Sequence, residues 1–216
     1  MKIVKSGYRI LWPVTDADWI SEARDVEAMG RICYKSEDKI MGDSYDPFIR
    51  MLVSNGHEAM LEHSVMKVIF TCDRGVSHEI VQHRLCAFAQ ESTRYCNYSK
   101  DKFCNEITVI EPLHLANGSA YDDSWQGACL TAEQNYLQMI QDGVSPQMAR
   151  SVLPNSLKTE IGVTANFREW RHIFKLRAIS KAAHPQMREL MIPLYEECRQ
   201  KLPCVFDMGV LNDVNY

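Results

Sequence analysis

Gln82-His83-Arg84 is followed seven residues later by Ser92, then by Arg94 and Tyr95. Cationic side chains, a titratable ring and a hydroxyl thus fall within thirteen or so residues, threaded through apolar Leu85, Ala87, Phe88 and Ala89. A guanidinium presents a planar fork of donors that fits two oxygens of a phosphate at once, which an ammonium does not. Arginines interleaved with apolar residues imply a partly buried anion site, because a solvated charged face needs no such interleaving.

A second constellation lies on the apolar pattern around Trp170, Ile173, Phe174 and Ala178. At about 100° per residue, Arg177 falls inside that apolar arc. A guanidinium stays charged at any working pH, so its burial calls for an anionic partner. An internal Asp or Glu and a ligand (a phosphate or an ionising ring) both satisfy that need. Arg168, His172 and Lys175 share the opposite face, where periodicity alone favours a plain solvated surface. Arg150 precedes apolar Val152-Leu153-Pro154 and gains meaning only if it converges with Arg94 and Arg177. His57-Glu58 and Glu62-His63 do not have the spacing of an H-E-x-x-H zinc helix, and no metal is expected. No P-loop, dinucleotide-binding glycine motif or nucleophile elbow is present. Ser92 has no evident triad partners and reads as a hydrogen-bonding group.

The chain has 216 residues, 46% apolar and 24% charged, and a net charge of −4. One domain, residues 1–216, is the expectation at this length. The negative total argues against general nucleic-acid binding, so any anion site must be local. From Ile80 to Lys102, four cationic residues oppose two acidic ones, a net of +2. Eight cysteines occur without a C-x-x-C pair. With Met1-Lys2-Ile3-Val4 reading as a strand and not a leader, reduced apolar thiols and a cytoplasmic location are expected. No apolar run reaches the roughly 18 residues of a membrane span.

These residues must be positioned by helices separated by a few strands. The pattern predicts an α+β fold, a single domain with a small, mostly antiparallel sheet packed with several helices. Helices are predicted over Asp16–Met29 (ended by Gly30), Pro47–Ser54, Val76–Ala89, Leu130–Asp142, a short stretch after Ser145-Pro146, Thr164–Ala182 and Gln186–Leu202. Strands are predicted over Ser64–Cys72 and Asn105–Glu111, and a loop over Leu113–Gln126.

The motifs resemble those of the flavin-dependent thymidylate synthases. That family's signature is R-H-R, seven residues, then S-x-R-Y. Here it stands as Gln82-His83-Arg84 and Ser92-Thr93-Arg94-Tyr95. Gly56-His57-Glu58 with Glu62-His63, Ala149-Arg150-Ser151-Val152-Leu153-Pro154, Asn166-Phe167-Arg168 and Leu176-Arg177-Ala178 are similar to four further family elements in the same order. Three positions depart: Gln82 replaces the signature's first arginine, Ala89 stands where asparagine is common, and Ala59 where threonine is frequent.

The resemblance implies methylation of dUMP to dTMP. The carbon would come from 5,10-methylenetetrahydrofolate and the hydride from FAD reduced by NADPH, in a homotetramer with shared active sites and no enzymic cysteine nucleophile. It implies that Arg94, Arg150 and Ser92, with Thr93, Gln90, Glu91, Gln82 and Glu79 nearby, hold the nucleotide. Arg177 would be catalytic, lying against the uracil ring and stabilising negative charge there. Gln82, His83, Arg84, Gln90, Ala59, Asn166, Arg168 and His172 would contact FAD. Two alternatives remain at this level: a nucleotide- or RNA-binding module that stacks bases on Tyr95, and a homologue that has lost FAD affinity through Gln82 and Ala59.

Overall fold

The computed structural model describes residues 1–113 and 120–208. In chain order the elements are β1 (Lys2–Val4), β2 (Gly7–Trp12), α1 (Asp16–Tyr34), α2 (Tyr45–Ser54), β3 (Val65–Asp73), α3 (Arg74–Ile80), β4 (Ala87–Gln90), β5 (Thr108–Ile110), α4 (Ala120–Gln141), α5 (Pro146–Ala149), β6 (Lys158–Asn166), α6 (Phe167–Phe174), α7 (Pro185–Lys201) and α8 (Pro203–Phe206). A π-helical turn, Lys175–Ile179, extends α6. Strands β2, β3, β6 and β4 form an antiparallel sheet in that order. The α+β arrangement expected from the sequence is therefore present. Strands β1 and β5 make a separate parallel ladder that pairs Ile3 with Val109.

The chain divides into two compact units. The first comprises Met1–Gly7, Phe70–Gln82 and Ala89–Ile161. Its core gathers Tyr98, Ile107, Val109, Cys129, Tyr136, Ala149 and Leu157. The Met1 amino group lies 3.1 Å from both Glu106 and Glu133.

The second unit comprises Tyr8–Ile69, His83–Phe88 and Gly162–Tyr216. Its core is aromatic: Trp19 stacks on Phe167 at 6.1 Å, Phe167 meets Phe206 edge-on at 5.2 Å, and Phe174 packs on Tyr195 at 5.5 Å. Each such fully buried ring contributes about 1.5–3 kcal/mol. The Trp170 indole N–H is satisfied by the Met66 carbonyl at 3.0 Å. Buried Glu22 fastens α1 to the start of β3, accepting from Trp12 Nε1 at 2.6 Å and from the Val65 amide at 2.9 Å.

Local chemistry explains where the predicted elements hold and where they fail. Helix α1 starts as expected, with a capping box in which Thr15 accepts from the Asp18 amide and Asp18 accepts from the Thr15 amide. It does not stop at Gly30 but runs on to Tyr34, where Lys35 takes the left-handed conformation. Gly30 is required for packing, because a Cβ there would sit 2.6 Å from the Phe48 ring. Gly56 and Gly143 do close their helices with φ of 72° and 84°.

Three predicted elements are corrected. The helix over Val76–Ala89 ends at Ile80, and the chain turns and re-enters the sheet as β4. The loop over Leu113–Gln126 is helical from Ala120, while residues 114–119 lie outside the described residues. The helix over Thr164–Ala182 begins only at Phe167, because Thr159, Ile161, Val163 and Ala165 alternate into the core as strand β6. Its end is also different, since the π turn changes the angular step beyond Phe174.

Candidate active site

In the first unit, Asp73 caps α3 by accepting from the Val76 amide at 2.6 Å. The Arg74 amide donates to the Asn155 carbonyl at 3.0 Å. Arg150 opens a single 3₁₀ turn after α5 and donates from Nη1 to the buried Thr93 hydroxyl at 3.2 Å. Ser145 sits at the N-cap of α5 but makes no side-chain capping bond; Pro146 fills the first helical position as expected. These segments surround a concavity of about 390 Å³ lined by Arg74, Thr93, Arg150, Ser151 and Asn155, with Leu153, Pro154 and Leu157 beneath. Among the described residues neither Arg74 nor Arg150 is paired with a carboxylate. Two uncompensated guanidiniums beside hydroxyl and amide groups form a receptor for an oxyanion.

The other expected nucleotide residues of this unit behave differently from one another. Ser92 Oγ faces the Arg94 amide at 3.4 Å, and its carbonyl accepts from the Cys96 amide at 2.9 Å, so its local role is to fold the turn. Arg94 is exposed and lies 5.5 Å from the Tyr95 ring, outside the residues lining the concavity. Gln90 donates to Ser77 at 2.9 Å and to Thr159 at 3.3 Å. Glu91 is engaged by Lys158 at 3.2 Å and by the Tyr98 hydroxyl at 3.4 Å, a structural commitment. The Glu79 carbonyl accepts from the Gln82 amide, and the Gln82 side chain is exposed.

In the second unit a cleft of about 970 Å³ is lined on one side by Asn166, Arg168, His172 and Lys175. Leu85 and Ile179 supply apolar wall. Asn166 caps α6, accepting from the Glu169 amide at 2.8 Å, which aims the first turn of the helix at the cleft. Arg168 meets Glu62 at 2.5 Å, and Arg171 meets Glu58 at 3.0 Å and the Val205 carbonyl. The polar face of this helix is exposed and borders the cleft. Ala59 and Arg84 are exposed and do not line it.

Beside the cleft, buried His83 accepts from Arg177 Nε at 3.1 Å through Nε2, while Nδ1 stands 3.6 Å from Glu169. Burial, then the Arg177 and His172 charges, push the His83 pKa down to about 4. The ring is neutral at physiological pH, and its contact with Glu169 is not an ion pair. Burial raises the Glu169 carboxyl, opposed by His172. Arg177 is half-buried on the π turn, and Ala178 takes the core position.

All eight cysteines are free thiols. Cys72, Cys86 and Cys204 are pushed up to about 12, chiefly by burial. Among the described residues no three His, Cys, Asp or Glu side chains are grouped to hold a metal, and no helix is long and apolar enough to cross a membrane.

Arg74, Asn155, Arg171 and Glu169 were not singled out from the sequence. Arg74 had a usable signal, since Asp73-Arg74 stands between a β-rich run and a helical pattern, where a cap is expected. Asn155 had none.

One concavity thus carries Arg74 and Arg150, and the cleft sets Arg168, Arg171 and Lys175 among Glu58, Glu62 and Glu169. Residues 17–204 match the family described as Thymidylate synthase complementing protein. The chain is 32% identical over 223 residues to the flavin-dependent thymidylate synthase of Corynebacterium diphtheriae, covering 94% of this chain and 85% of that one. It is 30% identical to that of Geobacter sulfurreducens, covering 84% and 79%. This chain belongs to the flavin-dependent thymidylate synthase family. Its fold is similar to that of the UMP/dUMP methylase PolB from Streptomyces cacaoi bound with 5-Br dUMP, with a TM-score of 0.73, 20% identity and 96% of each chain covered.

Proposed function

We propose that this chain methylates dUMP to dTMP, with 5,10-methylenetetrahydrofolate as carbon donor and NADPH as reductant of bound FAD. The observation that carries the reading is the α6 face of Asn166, Arg168, His172 and Lys175 turned onto a 970 Å³ cleft. Cationic donors beside the apolar walls of Leu85 and Ile179 suit a ligand with both phosphates and a flat ring system, which is the chemistry of FAD. Arg168 and Lys175 would engage its phosphates, with Asn166 and His172 orienting it. Gln82, Arg84 and Ala59 remain proposed contacts in a homotetramer with shared sites. When bound, FAD supplies the hydride; the protein's part is binding, orientation and electrostatics.

Arg150, Thr93 and Arg74 fit the nucleotide phosphate, supported by Ser92, Arg94, Gln90 and Glu79. A bidentate guanidinium contact fixes the direction of the phosphate as well as its charge. Arg177 lies against the uracil ring, where a permanent cation in a half-buried setting stabilises negative charge as the pyrimidine ionises. His83 stays neutral beside it, so it does not compete for that charge.

The visible spectrum of the purified protein tests this directly. A yellow protein bleached by NADPH is expected. A colourless protein that binds single-stranded RNA with a steep salt dependence would replace this reading with nucleic-acid binding.

A further inference from the structure

Arg177 Nε–H can only donate, so the His83 Nε2 that it meets at 3.1 Å must carry a lone pair. The proton of the neutral ring then sits on Nδ1, the nitrogen facing Glu169 at 3.6 Å. Both nitrogens of this ring are thus turned to protein groups, and the side chain is only 6% exposed. We propose that His83 is a positioning residue for Arg177, its accepting tautomer set by the Arg177 N–H and its Nδ1–H left on the side of Glu169. This rests on the reading that Arg177 meets the uracil ring.

The arrangement follows from local structure. Arg177 sits on the π turn Lys175–Ile179, which carries it away from the apolar line of α6. A turn with this looser ladder does not by itself fix a long side chain. An acceptor on the Nε edge constrains the guanidinium plane. The groups facing His83 are Arg177 from the π turn and Glu169 and His172 from α6, the His172 ring standing edge-on at 6.1 Å. The Cys86 thiol lies within the field of Glu169. A protonated His83 would place an N–H against the Arg177 N–H, so the pose requires a neutral ring.

Three measurements on the flavin-loaded protein test this. Nitrogen-15 histidine shifts should show His83 protonated on Nδ1 and still neutral at pH 5. His83→Leu should weaken dUMP binding about tenfold or more, the loss expected for a charged group's hydrogen bond, with flavin per subunit unchanged. His83→Gln supplies an acceptor to Arg177 and a donor to Glu169, and should return dUMP affinity to within about threefold of wild type on the same scale. Three results would overturn the proposal: a ring protonated on Nε2, a His83→Leu protein that loses flavin while keeping dUMP affinity, or equal losses in both variants. If His83→Leu does not fold, the wild-type shifts and His83→Gln binding decide. A wild type that binds no dUMP overturns the functional reading, while the shifts still decide the pairing.

Discussion

Acid should destabilise this protein through His83 by an amount that the structure bounds. The ordinary histidine pKa is 6.5, and the folded ring sits at about 4. The folded value is depressed, so the unfolded chain takes up the proton first as pH falls. The stability contributed by the neutral buried ring is fully present above about pH 6.5 and is lost progressively between there and pH 4. At pH 5 the loss is about 2 kcal/mol, approaching about 3 kcal/mol near pH 4. Glu169 acts in the opposite sense. Its raised carboxyl lets the folded state accept a proton early, so it must be removed from the comparison. Urea unfolding of wild type and His83→Gln at pH 7.5 and 5.0 does this, because Glu169 is common to both. Wild type should lose about 2 kcal/mol more than the variant over that interval. Equal losses, within about 0.5 kcal/mol, would mean that His83 titrates as an exposed histidine and that its partners do not hold it neutral.

Four substitutions probe other parts of the account. Arg177→Ala should lower turnover and dUMP affinity, measured by steady-state kinetics and calorimetry, while bound flavin stays near wild type by absorbance. Ser92→Ala should reduce activity only moderately, since its hydroxyl accepts from the Arg94 amide; a trapped adduct on Ser92 in wild type would instead make it a nucleophile. Gly30→Ala should destabilise by about 1–3 kcal/mol in urea despite alanine's better helix propensity, because its Cβ meets the Phe48 ring at 2.6 Å. Glu22→Gln should cost about 2 kcal/mol, since one of its two acceptor atoms becomes a donor facing either the Trp12 or the Val65 N–H.

Much of the machinery was legible because the chemistry is local. The glycines after α2 and α4 and the proline at the start of α5 act within a few residues, so sequence shows them. The shared face of Arg168, His172 and Lys175 was also readable, as helical spacing fixes it. What spacing could not reveal was that this face borders a cleft beside carboxylates, because Glu58 and Glu62 arrive from about a hundred residues away. The strand Lys158–Asn166 was missed although its alternation is plain in Thr159, Ile161, Val163 and Ala165. Small residues at its end blend into the helix that follows. Arg177 was read on an ideal α-helical wheel, and the π turn displaces it from that arc. Its acceptor, His83, lies 94 positions earlier and carries no sequence mark of the pairing.

The central claim is dUMP methylation that depends on flavin. It is tested most directly by the initial rate of dTMP formation from dUMP, 5,10-methylenetetrahydrofolate and NADPH, using protein stripped of flavin and then supplied with FAD. The rate should be negligible before addition and restored after it. An undiminished rate without FAD, or no dTMP with FAD bound and all substrates saturating, would contradict the account.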